Sequence, residues 1–464
     1  AYEIASCLVG SEMCIRDSPS LASAPSGDGL SRAYGGVRMT ARLCAWLRRD
    51  CPAAASPRGW CLFQLGLLLL PSSVLLASLL FVPALVLGSL RRECAYWHDR
   101  WNWPLLVAGG LMLLGCFSAL RADLAWAGLA NWLPFFWGFW GFQPYVAEAG
   151  ARRRAALWMV AGTVPVVVTG LGQFWLGWQG PWQSLGGLVI WFMAPGGEPE
   201  GRLSGLFDYA NIAAAWLALV WPLMLAALVQ PGLDRRRRSV VLILAVALVT
   251  ALVLTESRNG WGALVLAVPL VLGPVSWPWL LPLLALGLIP VLLAVLPGVP
   301  ELLQDPARAL VPESVWSRLS DSRYAGERAL ASTRLSQWGL ALQLIAERPW
   351  LGWGAAAFSV LYPLRTGKWH GHSHNLPLEL AVSSGVPAAL ALVVLVLALM
   401  IVSLRCSRMG LFDRAWWAAV LVLVVLHGSD MPFFDSRLNI AGWILMAGLR
   451  SRIRQTETAA VSPG

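Results

Sequence analysis

The sequence predicts an all-α, polytopic integral membrane protein: a bundle of about 12 transmembrane helices, with a large extracytoplasmic loop that carries an amphipathic helix. Of its 464 residues, 57% are hydrophobic and only 13% are charged, whereas about a quarter of the residues are charged in a soluble domain. Apolar runs such as VVLILAVALVTALVL and PAALALVVLVLALMIVSL approach the roughly 20 residues with which a helix crosses a bilayer. They lack the alternating pattern of an outer-membrane barrel.

Charge and cysteine content argue against other classes. The net charge of +10 is divided into short arginine blocks between apolar runs, a pattern typical of membrane topology rather than of a nucleic-acid surface. The eight cysteines form neither a CxxC pair nor a Cys/His cluster with zinc spacing. We therefore expect no nucleic-acid partner, no disulfide framework and no metal or other cofactor.

The N-terminal segment differs in character from the rest of the chain. Its opening, AYEIASCLVGSEMCIRDS, resembles translated adapter sequence, so residues 1–38 are expected to be a non-native or disordered leader. Met39 is a credible start. Residues 39–59 contain several arginines and are expected to form a cytoplasmic N-terminus.

Crossings 1–9 are expected in residues 60–297. The apolar run Cys61–Leu90 is long for one crossing, is broken by PSS, and has arginines on both sides. Because arginine blocks stay in the cytoplasm, a two-helix hairpin is predicted here rather than a single span. The following runs alternate between blocks such as RRR at Arg152–Arg154 and RRRR at Arg235–Arg238.

The C-terminal part completes the topology. Residues 298–374 are expected to form the large extracytoplasmic loop, residues 375–449 to form crossings 10–12, and residues 450–464 to form a cytoplasmic tail. Both termini are then cytoplasmic, in a bacterial inner membrane. Because the cytoplasmic loops are short, any chemistry is expected on the extracytoplasmic face.

An amphipathic helix is predicted in the large loop, within ASTRLSQWGLALQLIAERPWLGWG. Ser332 or Thr333 can cap it and Pro349 ends it, and such a helix is expected to lie flat on the bilayer. Its apolar positions at helical spacing are Leu335, Trp338, Ala341, Leu342 and Ile345.

Two arginines at the outer membrane boundary are candidate anion-binding groups. Arg258, in TESRNGW, directly follows a crossing; it is either an anion clamp or a snorkelling cation paired with Glu256. Arg334 begins the loop helix, one turn before Trp338, and is either an anion-binding group or an ordinary solvated cation. Guanidinium groups bind phosphate through two parallel hydrogen bonds.

Three of the five histidines, His370, His372 and His374, alternate in GKWHGHSHNLPLEL, and an extended strand would present them on one face. No carboxylate or cysteine lies nearby with ligand spacing, which disfavours a metal site; a polar loop without a role is a further alternative. We favour His374 as a general base, because an ordinary histidine pKa near 6.5 suits proton abstraction at neutral pH. Asn375 and Glu379 follow it.

The last polar group is HGSDMPFFDSRLN, which contains His427 and Asp430 at the outer end of another crossing. Two outward arginines and a histidine at the lipid boundary fit an amphipathic, phosphate-bearing substrate with a diphosphate leaving group. No DxD motif occurs in any expected outer loop, so a magnesium site has no obvious ligands.

Together, these segments resemble the O-antigen ligase/polymerase superfamily. TRLSQWGLALQLIAERPWLGWGAAAF and HSHNLPLELAVSSGVPAAL carry the family's Arg-x-x-x-Trp helix, P-x-x-G-x-G turn and H-x-H-N motif. TESRNGW is similar to its Ser-Arg-Gly-like step, although Asn259 precedes Gly260 here, and GRLSGLFDYANIAAAWL is similar to its G-x-F-x-x-x-N step. The resemblance extends from about Leu62 to Leu449.

The resemblance implies a metal-independent membrane glycosyltransferase of lipopolysaccharide biosynthesis. It would transfer a glycan, with inversion, from undecaprenyl diphosphate to a hydroxyl of an acceptor glycolipid or glycan. Carried over by motif, Arg258 and Arg334 would hold the diphosphate, His374 would activate the acceptor and His372 would support it. The residues assigned to substrate binding are Asn375, Trp338, Arg202, Asn211 and Asp430.

Two alternatives remain open at this point. A polysaccharide polymerase would differ in its acceptor, which is another repeat unit. A transporter for bicarbonate or a lipid-linked sugar is the second, since AERPWLGWG and LYPL resemble a branch of the superfamily that was proposed to act in inorganic-carbon uptake. Members of that branch can lack the H-x-H-N histidines, which this chain has. A transporter is also expected to carry ionisable residues near the bilayer midplane.

Overall fold

The computed structural model describes residues 45–92, 95–320, 333–406 and 409–461. Nearly all regular structure in these ranges is helical. This agrees with the predicted helical class. The expected leader, residues 1–38, and the candidate cap Ser332 lie outside the described residues.

The helices of the N-terminal half have the following bounds: α1 (Pro57–Leu69), α2 (Val74–Ser89), α3 (Trp103–Cys116), α4 (Ala122–Gly128), α5 (Leu133–Gly141), α6 (Ala149–Leu176), α7 (Ala210–Val229) and α8 (Arg235–Leu254). Between α6 and α7, a short hairpin that the sequence did not predict pairs β1 (Trp182–Ser184) antiparallel with β2 (Val189–Trp191).

The C-terminal half continues with ten helices in the described residues: α9 (Arg258–Leu272), α10 (Trp277–Val295), α11 (Glu301–Leu310), α12 (Glu313–Leu319), α13 (Arg334–Glu347), α14 (Ala357–Thr366), α15 (Leu376–Ser384), α16 (Val386–Arg405), α17 (Leu411–His427) and α18 (Ser436–Val461). Helix α18 continues past Leu449, so the expected last crossing and tail form one helix.

Five helical segments in the described residues are long and apolar enough to cross a membrane. They are α6, α7, α8, α16 and the segment Pro274–Val295, which contains α10. Two shorter helices, α2 and α9, are also apolar. These segments support a helical membrane protein, while the count of about 12 crossings stays a prediction.

Burial separates central from peripheral helices. In the most apolar 18-residue window, 83% of α7 and 72% of α6 is buried, but only 11% of Pro274–Val295. Large apolar side chains on α10 point outward; Leu286 is 72% exposed and Leu283 is 59% exposed. Because such a surface is unfavourable in water, we assign the outer face of α10 to the lipid side.

The predicted pair of helices near the N-terminus is present, while their two membrane crossings stay a prediction. Helices α1 and α2 replace the single long run, and the break lies at the PSS segment. Ser73 marks the start of the second helix: its side chain accepts a hydrogen bond from the backbone N–H of Leu76 and so caps α2.

A helix is present at the position predicted for the amphipathic loop helix, as α13, and Thr333 caps it by accepting from the N–H of Ser336. Its place in an extracytoplasmic loop stays a prediction. Of its predicted apolar positions, Leu335 and Leu342 are 75% and 57% exposed, like the side chains of α10 assigned to the lipid side. Another face of α13, which carries Leu340, Ala341 and Leu344, packs against α14 and α15.

Buried ion pairs fasten α6, α17 and α18 together at one end of the bundle. Asp413 accepts from Arg152 Nε at 2.8 Å and from Arg452 Nη1 at 2.9 Å. The side chains of all three are at most 8% exposed. Arginines that the sequence assigned to topology therefore also fix helix packing, because a buried charge must be paired.

We expect Asp413→Asn to lower the free energy of unfolding by about 3–5 kcal/mol, because two buried guanidinium groups lose their shared negative partner. Unfolding in mixed detergent micelles measures the change. The matched control is Glu347→Gln, which removes the exposed ion pair to Arg365 and is expected to change the free energy of unfolding much less, because solvent screens an exposed pair. Equal effects for the two variants would contradict this account.

Candidate active site

The histidine segment lies between α14 and α15, and α15 fixes its C-terminal end. Asn375 caps α15 by accepting from the N–H of Leu378 at 3.0 Å. The Asn375 side chain also donates to the carbonyl oxygen of Gly428 at 2.9 Å, and Glu379 Oε2 accepts from the N–H of Ser373 at 2.9 Å. The segment is therefore attached both to α15 and to the turn that follows α17.

The three histidines do not share one face, contrary to the expectation for an extended strand. His374 has a φ of 53°, in the left-handed region that a non-glycine residue seldom adopts. His370 turns towards the ring of Tyr362, at a centroid distance of 5.3 Å. Only His372 and His374 come together, with ring centroids 4.2 Å apart. Such backbone strain is typical of functional sites.

His374 forms a pair with Asp430. Its Nδ1 lies 3.1 Å from Asp430 Oδ1. Since an ionised carboxylate only accepts hydrogen bonds, a neutral His374 carries its proton on Nδ1 and keeps a lone pair on Nε2. The pair therefore has the arrangement of an oriented general base.

The second oxygen of Asp430 is held from the opposite side. Asn211 Nδ2 donates to Asp430 Oδ2 at 3.3 Å, and Arg202 Nη2 donates to Asn211 Oδ1 at 2.6 Å. Arg202 is only 6% exposed, and its Nε donates to the carbonyl oxygen of Thr255 at 2.7 Å. A continuous chain of hydrogen bonds thus joins Arg202, Asn211, Asp430 and His374, four residues that the sequence analysis had singled out separately.

The electrostatics of the cluster keep His372 neutral and Asp430 ionised at pH 7. Burial lowers the pKa of His372 to about 4, and the charges of His374 and Arg334 act in the same direction. His372 Nδ1 accordingly accepts from the N–H of His374 at 3.2 Å. Burial acts to raise the pKa of Asp430, but the hydrogen bond and charge of His374, together with Arg334, hold it below its ordinary value.

The two candidate arginines are placed differently. The charge of Arg334, the first residue of α13, acts on the pKa values of both His372 and Asp430, and Trp338 lies half-buried one turn later. Arg258 is the first residue of α9. Its neighbours Ser257 and Asn259 line a small cavity together with Asn211 and Asp430.

One arginine near this site was missed by the sequence analysis. Arg318, on α12, is 7% exposed and donates through Nε to the carbonyl oxygen of Glu256 at 3.1 Å. It brings a further positive charge to the TESRNGW segment. No local pattern distinguishes it from the other loop arginines, because the contact joins residues 62 positions apart.

A possible metal-ligand set, which the sequence was expected to lack, is present in the structure. His372, His374 and Asp430 each offer one ligand atom, and these atoms lie within 4.8 Å of one another. The carboxylate that local spacing did not provide comes from the turn after α17. Two imidazoles and one carboxylate are a chemically suitable donor set for zinc.

The site lies at the end of the bundle opposite to the buried ion pairs. Asp413 is in the first turn of α17 and Asp430 follows its last residue. A helix of 17 residues is about 25 Å long, so the two groups are separated by nearly the thickness of a hydrocarbon core. This separation agrees with the prediction that the arginine blocks and the reactive groups face opposite sides.

Comparison with known proteins identifies the region around this site. Residues 243–393 match the family model described as O-antigen ligase, while a search of curated proteins gives no match. The matched region includes Arg258, Arg334, His372 and His374, whereas Arg202, Asn211 and Asp430 come from outside it. Over residues 243–393, the chain is therefore similar to the O-antigen ligase family, which supports the resemblance drawn from its motifs.

Proposed function

We propose that this protein is a membrane glycosyltransferase that moves a glycan from undecaprenyl diphosphate to an acceptor hydroxyl at the extracytoplasmic face. The observation that carries the proposal is the His374–Asp430 pair, with the Arg334 charge acting on the same cluster. The family region supports transfer by a ligase or polymerase.

The proposed reaction needs one base and a stabilised leaving group. His374 Nε2 takes the proton of the acceptor hydroxyl as its oxygen attacks the anomeric carbon, and the bond from that carbon to the diphosphate oxygen breaks. The bonding electrons leave with the lipid diphosphate, whose negative charge Arg334 and Arg258 stabilise. A single displacement of this kind inverts the anomeric centre. Asp430 holds the imidazole and stabilises its protonated form.

Several other residues act as positioning groups in this proposal. Arg202 and Asn211 hold the carboxylate of Asp430 through their side chains, and Asn375 ties the histidine segment to the turn after α17. Trp338 is assigned to substrate contact beside Arg334. The His372 imidazole, neutral at pH 7, supports His374 through the backbone.

A turnover assay with purified protein tests the proposal and its metal independence. The donor is a glycan on undecaprenyl diphosphate, and the acceptors are a lipid A core glycolipid and a free repeat unit. We expect acceptor-dependent release of the lipid diphosphate, and we expect that EDTA does not reduce it. The reason is that the histidine supplies the base and the arginines stabilise the leaving group in place of a metal ion.

Other results have defined meanings. Activity with the repeat unit alone would indicate a polymerase. Loss of activity in EDTA that zinc restores would replace the general-base role with a metal held by His372, His374 and Asp430. No turnover with either acceptor, together with bicarbonate flux in liposomes that His374→Ala leaves unchanged, would overturn the enzyme proposal in favour of a transporter.

A further inference from the structure

Helix α11 turns back along the end of α10. The two helices are joined by a tight turn in which Gly298 has a φ of 80°, a left-handed conformation that favours glycine. Gln304 Nε2 donates to the carbonyl oxygen of Leu296 at 3.3 Å. One turn further along α11, Arg308 Nε donates at 3.2 Å to the carbonyl oxygen of Ala294, which comes earlier in the chain. The two helices therefore run in opposite directions.

This contact fixes the depth of α11 relative to the membrane. Ala307 and Val311 pack with Ala294 in a small apolar cluster. Ala294 belongs to the last turn of Pro274–Val295, a segment that is long and apolar enough to cross a bilayer. A helix beside that turn lies where α10 leaves the hydrocarbon core, at the level of the lipid headgroups and the upper acyl chains.

The residues of α11 divide into a polar and an apolar face, because its sequence repeats with the helical period. The polar face carries Glu301, Gln304, Asp305 and Arg308. The opposite face carries Leu302, Leu303, Pro306, Ala309 and Leu310. Its leucines stay outside the packed contact with α10: Leu302 is 84% exposed, Leu310 is 72% exposed and Leu303 is 50% exposed.

Lipid is the partner that this apolar face fits. The face continues the outer surface of α10, where Ile289 and Leu292 are 52% and 49% exposed and which we have assigned to the lipid side. With two carboxylates and one guanidinium group, α11 has a formal charge of −1. Burial of the leucines, rather than attraction to anionic lipids, therefore supplies its affinity for a bilayer.

We propose that α11 lies in the interface of the bilayer, with Leu302, Leu303 and Leu310 among the acyl chains of the adjacent leaflet and with its polar face towards water. The inference is independent of the proposed glycosyl transfer, because it uses no residue of the histidine cluster and its test needs no turnover.

A membrane-bound α11 has a consequence for the candidate site. The Arg308 guanidinium group lies over the ring of Trp316 on α12, 4.7 Å from its centroid, so α11 and α12 are joined. Helix α12 also carries Arg318, which donates to the carbonyl oxygen of Glu256 in the TESRNGW segment. The interfacial helix thus holds Arg318 close to the membrane surface, at the end of the bundle that contains the candidate site.

Fluorescence quenching in phospholipid nanodiscs tests the proposal on the full-length protein. A genetically encoded fluorescent amino acid replaces Leu302, Leu310 or, as the matched control on the polar face, Asp305. The quenchers are a phosphatidylcholine with a nitroxide near the top of one acyl chain, and aqueous iodide. We expect the nitroxide lipid to quench positions 302 and 310 at least about threefold more strongly than position 305, and iodide to show the reverse order.

Each other result of this measurement counts against the proposal. Equal quenching of the three positions by the nitroxide lipid would overturn it. Protection of positions 302 and 310 from both quenchers would indicate that protein covers the face, and would also overturn it. Quenching should be the same in phosphatidylcholine alone and in mixtures with phosphatidylglycerol, so a requirement for the anionic lipid would contradict binding through the leucines.

Variants test whether the leucines hold the helix in place. With the fluorescent amino acid at position 303, the double variant Leu302→Asp and Leu310→Asp is expected to lower quenching by the nitroxide lipid by at least about threefold, because it makes the apolar face polar. The matched control is Glu301→Gln with Asp305→Asn, which changes two residues of the polar face and should leave the quenching unchanged. Unchanged quenching in the double aspartate variant would refute the role of the leucines.

Discussion

Replacing His374 with Gln is expected to lower the turnover of glycan transfer by about 10²–10⁴-fold, the usual contribution of a general base. Glutamine keeps a polar side chain at this position but cannot accept a proton from the acceptor hydroxyl at neutral pH. Donor binding should change little, because the diphosphate contacts are assigned to arginines. Steady-state kinetics at pH 7.5 with a saturating lipid-linked donor measure the effect.

His370→Gln is the matched control for this experiment. His370 lies on the same segment but contacts Tyr362 rather than the His374–Asp430 pair, so its turnover should stay within about threefold of the wild type. Asp430→Asn adds a more specific check. An asparagine amide that donates to His374 Nδ1 forces the imidazole proton onto Nε2 and removes the base. Near-normal turnover of either His374→Gln or Asp430→Asn would exclude the general-base role.

Helix bounds were predictable from the sequence where the residues that begin or end the helix lie within or next to it. The hairpin of α1 and α2 follows from the PSS break and the arginines around it, and the bounds of α13 follow from Thr333 and Pro349. These signals act within a few residues, so a sequence window contains them. The buried face of α13 was not predictable in the same way, because it depends on how α14 and α15 pack against it.

The sequence allowed most residues of the candidate site to be named, but it did not allow the hydrogen bonds between them to be predicted. His374 and Asp430 were notable as polar residues in an apolar chain, and Asn211 and Arg202 were assigned to substrate binding with the family resemblance. Their hydrogen bonds, however, join residues such as His374 and Asp430, 56 positions apart, and Asn211 and Asp430, 219 positions apart. No local spacing records such contacts, and for the same reason the carboxylate beside the histidines was overlooked in the argument against a metal.

The arrangement also connects the family region with the rest of the chain. The matched residues supply His374 and Arg334, but the carboxylate that orients His374 comes from the turn after α17, beyond residue 393. Arg202 extends the hydrogen-bond chain to the loop before α7, while its Nε holds the carbonyl of Thr255 within the matched region. The proposed base therefore depends on packing between segments that sequence comparison treats separately.

Arg334→Ala is expected to lower kcat/KM by about 10²–10³-fold, the effect of removing one group that stabilises developing negative charge. The reason is that the lipid diphosphate gains negative charge as it leaves, and in the wild type the guanidinium group of Arg334 stabilises that charge. Arg334→Lys should recover only part of the loss, because an ammonium group keeps the charge but lacks the planar pair of donors. Arg365→Ala, which removes an exposed partner of Glu347, is the control and should have no effect.

A donor series separates this role from an indirect one. The Arg334 charge also helps to hold the pKa of Asp430 below its ordinary value, so its removal raises that pKa and lowers the ionised fraction of Asp430 at acid pH. If Arg334 acted only through Asp430, the loss in Arg334→Ala would disappear at high pH and would be equal for monophosphate and diphosphate donors. A loss that persists at high pH and is larger for the diphosphate donor would instead establish direct stabilisation of the leaving group, because only that role depends on the charge of the departing lipid.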